Sequence, residues 1–254
     1  MTEPVLTEVT DGVGVLTLNR PDAKNAVDLA TTQALAAAVD EFDARADVTV
    51  LVLTGAGGTF CAGMDLKAFA RGERPRIEGR GFAGLTEAPP VKPLIAAVEG
   101  WALAGGCELA LAADLIVAAS DARFGIPEVK RGLFAAGGGV LRLAKALPYQ
   151  RAMEMALTGD PLPAAEDHRF GLVNVLTEPG GALEGAQALA ARVAANGPLG
   201  VQASKQLIAG SVGWTDRGAL EAQRELADRV FASADALEGA RAFAEKRAPV
   251  WQGR

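Results

Sequence analysis

The chain has 254 residues, half of them apolar, with 25 Lys or Arg against 31 Asp or Glu and a net charge of −6. That length suits one large domain or a core with an appended helical piece, and the composition excludes a disordered chain. The acidic balance argues against a nucleic-acid partner, and two cysteines with one histidine are too few for a disulfide framework or a zinc site.

In chain order, the segment MTEPVLTEVTDG is acidic and polar, unlike a secretory leader. Residues 4–9 and 13–18 read as short strands around the turn Asp11-Gly12. NRPDAKNAVD is a loop, and Asp28 caps the helical run LATTQALAAAVDEFDA. Residues 48–55 form a continuous apolar run, predicting a strand covered on both faces. GAGGTFCAGMD is a Gly-rich loop whose last residue, Asp65, can cap LKAFARG. A buried strand is predicted over 92–100, then the run WALAGGCELALAADLIVAAS, a helix followed by returning strands. Glu108 and Asp114 interrupt that run, the most apolar in the chain. No membrane-spanning helix is therefore expected, and the expected location is cytoplasmic. GGGVLRLAKAL starts another helix, and from about Tyr149 the pattern is helical apart from a strand at 173–176. The boundaries expected are a strand–helix core over 1–195 and a helical region over 196–254, with the strand–strand–helix rhythm of the first half suggesting a repeated unit.

Three Gly-rich loops follow three predicted strands: GAGGTFCAGMD, EGWALAGGCE and GLFAAGGG. None matches a P-loop, a dinucleotide fingerprint or a nucleophile elbow. Their common resource is backbone N–H groups at helix starts, suited to a phosphate or an oxyanion. Two carboxylates accompany them, Glu108 and Glu128. By position alone, Glu108 is an acid favoured by a helix N-terminus and Glu128 a solvated loop charge beside Lys130 and Arg131. Asp114 reads as a cap that ends its helix, His168 as a surface residue, and Cys61 and Cys107 as small apolar fillers.

Five blocks occurring in order, NRPDAKNAVD, TFCAGMDLKAF, AAVEGWALAGGCELALAADLIVAA, ARFGIPEVKRGLFAAGGGVLRL and EGARAFAEKRAPVW, resemble the crotonase (enoyl-CoA hydratase/isomerase) superfamily over essentially the whole chain. The resemblance implies an α/β spiral of repeated ββα units with a C-terminal helical trimerisation region, as homotrimers or hexamers. It implies an acyl-CoA substrate, with no metal and no cofactor beyond the CoA carried by the substrate. The thioester oxygen is expected between the backbone N–H groups of Met64 and Gly105. CoA is expected along Ala23, Lys24, Ala26, Ala62, Asp65 and Leu66, with Phe243 and Lys246 contributing from the C-terminal helix of the same or a neighbouring subunit. Glu108 and Glu128 fall on the two acidic positions that hydratases of the family use. The implied activity is therefore hydration of a 2-enoyl-CoA to a 3-hydroxyacyl-CoA. An isomerase, a hydratase of a specialised acyl group, and a non-catalytic acyl-CoA or RNA-binding module are the alternatives. Residues 71–90 are expected to line the acyl pocket.

Overall fold

The computed structural model describes residues 3–213 and 215–254. Strands β1 (Val5–Thr10) and β2 (Val13–Leu18) form a hairpin whose turn residues, Asp11 and Gly12, have φ of +49° and +80°. A two-residue primed turn requires those angles, and its twist matches that of the strands. Asp28 then caps α1 (Leu29–Ala44), its carboxylate accepting the Thr31 N–H at 2.8 Å.

Among the described residues, six strands make the main sheet: β1, β2, β3 (Val50–Gly55), β6 (Leu94–Val98), β8 (Leu115–Ala119) and β11 (Val175–Thr177), in that order. All neighbours are parallel except β1 and β2. The strand expected at 173–176 begins later because the N–H groups of Leu172 and Val173 turn back to the Asp167 carbonyl.

After β3, β6 and β8 the chain steps into a second layer before returning. It does so as a single bridge from Cys61 to Ala102, then as β7 (Trp101–Leu103) and β9 (Arg123–Gly125), which pair in parallel. A helical segment follows each step: α2 (Leu66–Ala70), α3 (Gly105–Ala112), and a 3₁₀ turn (Pro127–Arg131) leading to α4 (Gly139–Ala146). The predicted rhythm is thus a spiral of ββα turns. Short strands β4 (Arg76–Ile77) and β5 (Gly81–Phe82) pair within the 71–90 segment, and β10 (Leu162–Pro163) closes the second layer against β9. Helices α5 (Tyr149–Thr158) and α6 (Ala164–Arg169) flank β10.

Period-two alternation sorts the sheet's residues into two cores. Leu16, Leu18, Leu51, Leu53, Leu94 and Ala96 face α1 and the second layer. Val13, Val15, Val50, Val52, Ile95 and Ala97 face α7 (Ala182–Ala194), which meets them with Ala182, Ala186 and Ala190, spaced four apart on one helix face. Helices α8 (Pro198–Gly210), α9 (Asp216–Phe231) and α10 (Ala234–Glu245) complete the chain. Asp114, expected as a helix cap, instead anchors this region. Ala113 already ends α3, and the Asp114 carboxylate accepts the Leu94 N–H at 2.8 Å and pairs with Lys205 Nζ of α8 at 2.7 Å. Ile208, Leu220, Phe231, Leu237 and Phe243 leave large apolar side chains exposed on these helices.

Candidate active site

Two Gly-rich loops meet at one point. Gly63, at φ +93°, lies so close to the other loop that a Cβ there would stand 2.9 Å from the Gly105 nitrogen and from the Ala104 Cβ. A Cβ on Gly106 would stand 2.1 Å from the Cys61 carbonyl oxygen. Neither position can carry a side chain, which is why glycine recurs in both loops. Met64 bridges Val27 in parallel fashion: the Val27 N–H donates to the Gly63 carbonyl, and the Asp65 N–H to the Val27 carbonyl. In that pattern the flanking groups make the ladder, so the Met64 N–H points to the other side. On the second loop, Ala104 sits at φ +51°, ψ −126°, the first central position of a type II′ turn. That conformation turns over the Ala104–Gly105 peptide and leaves the Gly105 N–H at the open start of α3, where no intrahelical acceptor exists.

Met64, Ala104 and Gly105 line a cavity of about 650 Å³, and so do Glu108 and Glu128. The apolar wall comes from Met64, Leu66, Phe69, Phe82, Trp101 and Phe134. The 71–90 segment contributes Arg74, Pro75, Arg76, Phe82 and Glu87, as expected from its position.

The two carboxyls have different surroundings. Glu108 is only 4% exposed, and its Oε1 accepts the Gly139 N–H at 2.9 Å. Gly139 opens α4, so the carboxylate sits at that helix's positive end. Burial pushes the Glu108 pKa up, while the N–H groups of Gly139 and Gly137 and the Arg142 charge pull against it. Glu128, in the 3₁₀ turn, has a buried Oε2 without a hydrogen-bond partner. Burial pushes its pKa up to about 7, and the neighbouring Glu108 charge adds to this. Both groups are raised, but Glu108 is held by N–H groups of the α4 start, whereas Glu128 has its own backbone N–H and the Arg131 charge to favour its charged form. The cavity therefore holds one carboxyl engaged by the N–H groups of a neighbouring helix start and one whose pKa is pushed up to about 7. Among the described residues, no three His, Cys, Asp or Glu side chains converge as a metal site requires.

The family model for enoyl-CoA hydratase/isomerase matches residues 8–254. The chain belongs to that family. It is similar to a solved enoyl-CoA hydratase from Mycobacterium tuberculosis, 59% identical with a TM-score of 0.97 and 100% of both chains covered. It is 41% identical to enoyl-CoA hydratase EchA19 of Mycobacterium tuberculosis, over 94% of this chain and 93% of that protein. It is 43% identical to carnitinyl-CoA dehydratase of Salmonella typhi, over 94% of each.

In this enoyl-CoA hydratase/isomerase family member, Lys24, Ala62 and Leu66 line the same cavity. Ala23, Ala26 and Asp65 stand beside that wall without forming it. The Asp65 carboxylate is already engaged, capping α2 through the Lys67 and Ala68 N–H groups and pairing with Arg20 at 2.9 Å. Arg20 also donates to the Ala26 carbonyl and reaches Asp28 at 3.1 Å, so it ties the two loops together. Phe243 is 88% exposed, and neither it nor Lys246 lines the cavity of its own chain. Cys61 is buried and pushed up to about 12 by burial, and burial raises Cys107 too, so both are inert thiols that fill space.

Two residues of consequence escaped the sequence reading. Arg142, in the last Gly block, reaches back toward Glu108. Asp167 is completely buried, neither carboxyl oxygen has a hydrogen-bond partner, and burial pushes it up to about 7 against the Arg151 charge. Its segment, AEDHRFG, reads as a surface helix, and His168 next to it is indeed exposed. The only available signal was spacing: Asp167 lies three residues after the buried Ala164 and so shares its face.

Proposed function

We propose that the chain works as a hydro-lyase, adding water across the 2,3 double bond of a 2-enoyl-CoA thioester to give a 3-hydroxyacyl-CoA. The observation that carries this reading is the unequal solvation of Glu108 and Glu128 beside the meeting point of the two Gly loops. The Met64 and Gly105 N–H groups bind the thioester oxygen. Negative charge grows there as C3 is attacked, and losing one donor of this kind costs about 3 kcal/mol. Glu108, the carboxylate with N–H partners, activates the water as general base. Glu128, the acid with one bare oxygen and a pKa of about 7, supplies the proton at C2.

CoA lies along Lys24, Ala62 and Leu66, with Ala23, Ala26 and Asp65 shaping the loop behind them. Phe243 and Lys246 serve a neighbouring subunit's CoA, which accounts for their exposure on α10. The apolar side chains exposed on α8, α9 and α10 make residues 196–254 the region through which a trimer, or a pair of trimers, assembles. The test is steady-state hydration of crotonyl-CoA by E108Q and E128Q. Each is expected to lose at least about a hundredfold in kcat, the usual scale for removing a positioned acid or base. A variant with near wild-type kcat disproves the role given to that residue. Product analysis with a 3-enoyl-CoA distinguishes hydration from double-bond migration.

A further inference from the structure

Beyond the two carboxyls, one charged side chain touches both the 71–90 segment of the cavity wall and the support of Glu108. Arg142, on α4, is partly buried, and its guanidinium is committed to two backbone carbonyls. Nη1 donates to the Gly137 carbonyl at 3.3 Å, in the same glycine turn whose Gly139 N–H holds Glu108. Nη2 donates to the Thr86 carbonyl at 2.5 Å, near the end of the 71–90 segment that lines the cavity. Its approach is close enough that a Cβ on Gly138 would meet Nη1 at 2.3 Å. The carboxylates facing its charge are Glu108 and Glu87, both in the cavity wall, and neither is in salt-bridge contact with it. Arginine suits this place because its donors are fixed in a planar fork and its charge is permanent.

We infer that Arg142 is a positioning residue for the hydration step: it pins the glycine turn that orients Glu108, sets a cation facing that carboxylate, and braces the turn against the acyl-pocket segment. The inference rests on the role given to Glu108. If the arginine only held the turn, its charge would not matter, and R142K would do no better than R142M. The other charged or titratable groups facing Glu108 are Glu128 and the Cys107 thiol beside it, and Arg131 acts on Glu128. With two acids on one side of the base, removing the one facing cation leaves only N–H groups to favour its charge.

The experiment measures kcat, KM and the pH dependence of kcat/KM for crotonyl-CoA hydration by R142M, R142Q and R142K, with R142M also made in the E108Q background. R142M and R142Q are expected to lose about 10- to 100-fold in kcat, the scale of a hydrogen bond to a charged group, with KM within about threefold. Their acid limb should move to higher pH by about one unit, a factor of ten in the proton affinity of the base. R142K keeps the charge and should leave that limb in place. In E108Q, R142M should cost little more. An unmoved acid limb in both neutral variants overturns the inference, and so does a loss in the E108Q background as large as in wild type. If R142M does not fold, R142Q carries the same comparison. Should E108Q alone turn over at the wild-type rate, the base role given to Glu108 fails; a slow E108Q with an indifferent R142Q sinks the Arg142 role alone.

Discussion

Gly139→Ala tests the geometry of the proposed base with a single methyl group. A Cβ at position 139 would stand 2.9 Å from Glu108 Cγ, 3.0 Å from Glu108 Oε1 and 3.0 Å from the Ala135 Cβ. Apolar contacts settle at about 3.5–4.0 Å, so something must yield by more than half an ångström. The part that yields most cheaply is the Glu108 side chain, because its rotatable bonds can swing the carboxylate aside whereas the Ala135 methyl moves only with its backbone. Alanine is well accepted at a helix start, so the stability cost should be that of the crowded site, about 1–3 kcal/mol, with the variant still folded. Displacing the carboxylate breaks its 2.9 Å bond from the residue-139 N–H. A hydrogen bond to a charged group is worth about 1.5–3 kcal/mol, which corresponds to roughly 10- to 150-fold in rate. Losing that donor also leaves burial less opposed, so the base gains a proton more easily and the acid limb of kcat/KM moves to higher pH. The assay follows the disappearance of the conjugated thioester absorbance of crotonyl-CoA across pH, with a melting curve as control. A variant that stays folded yet keeps full kcat and an unmoved acid limb would refute the claim that this turn places the base.

Two further outcomes follow from burial. With Glu128 at about 7, kcat/KM should decline on the alkaline side as the proton donor ionises, and in E128Q that limb should vanish along with most of the activity; a wild-type profile flat to pH 9 counts against Glu128 as the acid. Asp167 is raised from 3.8 to about 7, so the native state holds its proton more tightly than the unfolded chain does; its contribution is fully present below about pH 4 and is lost as pH rises through about 7, at most about 4 kcal/mol in all. D167N, which needs no proton to stay neutral, should raise the melting temperature at pH 8 and leave it nearly unchanged at pH 4, and an equal shift at both values would show that ionisation is not the cause.

The parts of the fold visible in the sequence are those where local chemistry and tertiary packing agree. The β1–β2 hairpin has its Asp11-Gly12 turn, α1 has its Asp28 cap, and β3 is apolar on both faces because both faces are covered. The passage from β6 into α3 was also legible, since the Gly pair that opens α3 cannot be replaced at that packing distance, but β7 between them read as loop. That Glu128 turns a carboxyl oxygen into the interior was not. Pro127, Lys130 and Arg131 around it describe a solvated loop, and only the resemblance pointed elsewhere. Its burial comes from chain segments far away in sequence, which no local window contains. The same holds for Asp114, whose partners are Leu94 and Lys205, and for Asp167, hidden behind a helix pattern that looks like surface. The third Gly loop was read as a ligand-binding cradle, but the described N–H bond from it goes inward, from Gly139 to Glu108.

That inward use of a Gly loop explains how one cavity can hold an acid and a base made of the same functional group. Dehydration by the apolar wall acts on both carboxyls and raises both. Without a second influence they would differ little, and neither role would be assigned. The difference is made by where backbone N–H groups are sent. The α4 start gives its N–H to Glu108, while Glu128 sits in a turn with one oxygen left bare. The charge stabilised on Glu108 then acts across the cavity and makes the second ionisation harder still, which is the behaviour of a coupled pair rather than of two independent acids. It follows that the two roles cannot be moved separately. A change that neutralises Glu108 should also lower the Glu128 pKa, so E108Q is expected to remove the base and weaken the acid's hold on its proton at once. Single substitutions at the two positions should for that reason combine less than additively, and the double variant E108Q/E128Q should be little slower than the slower single one.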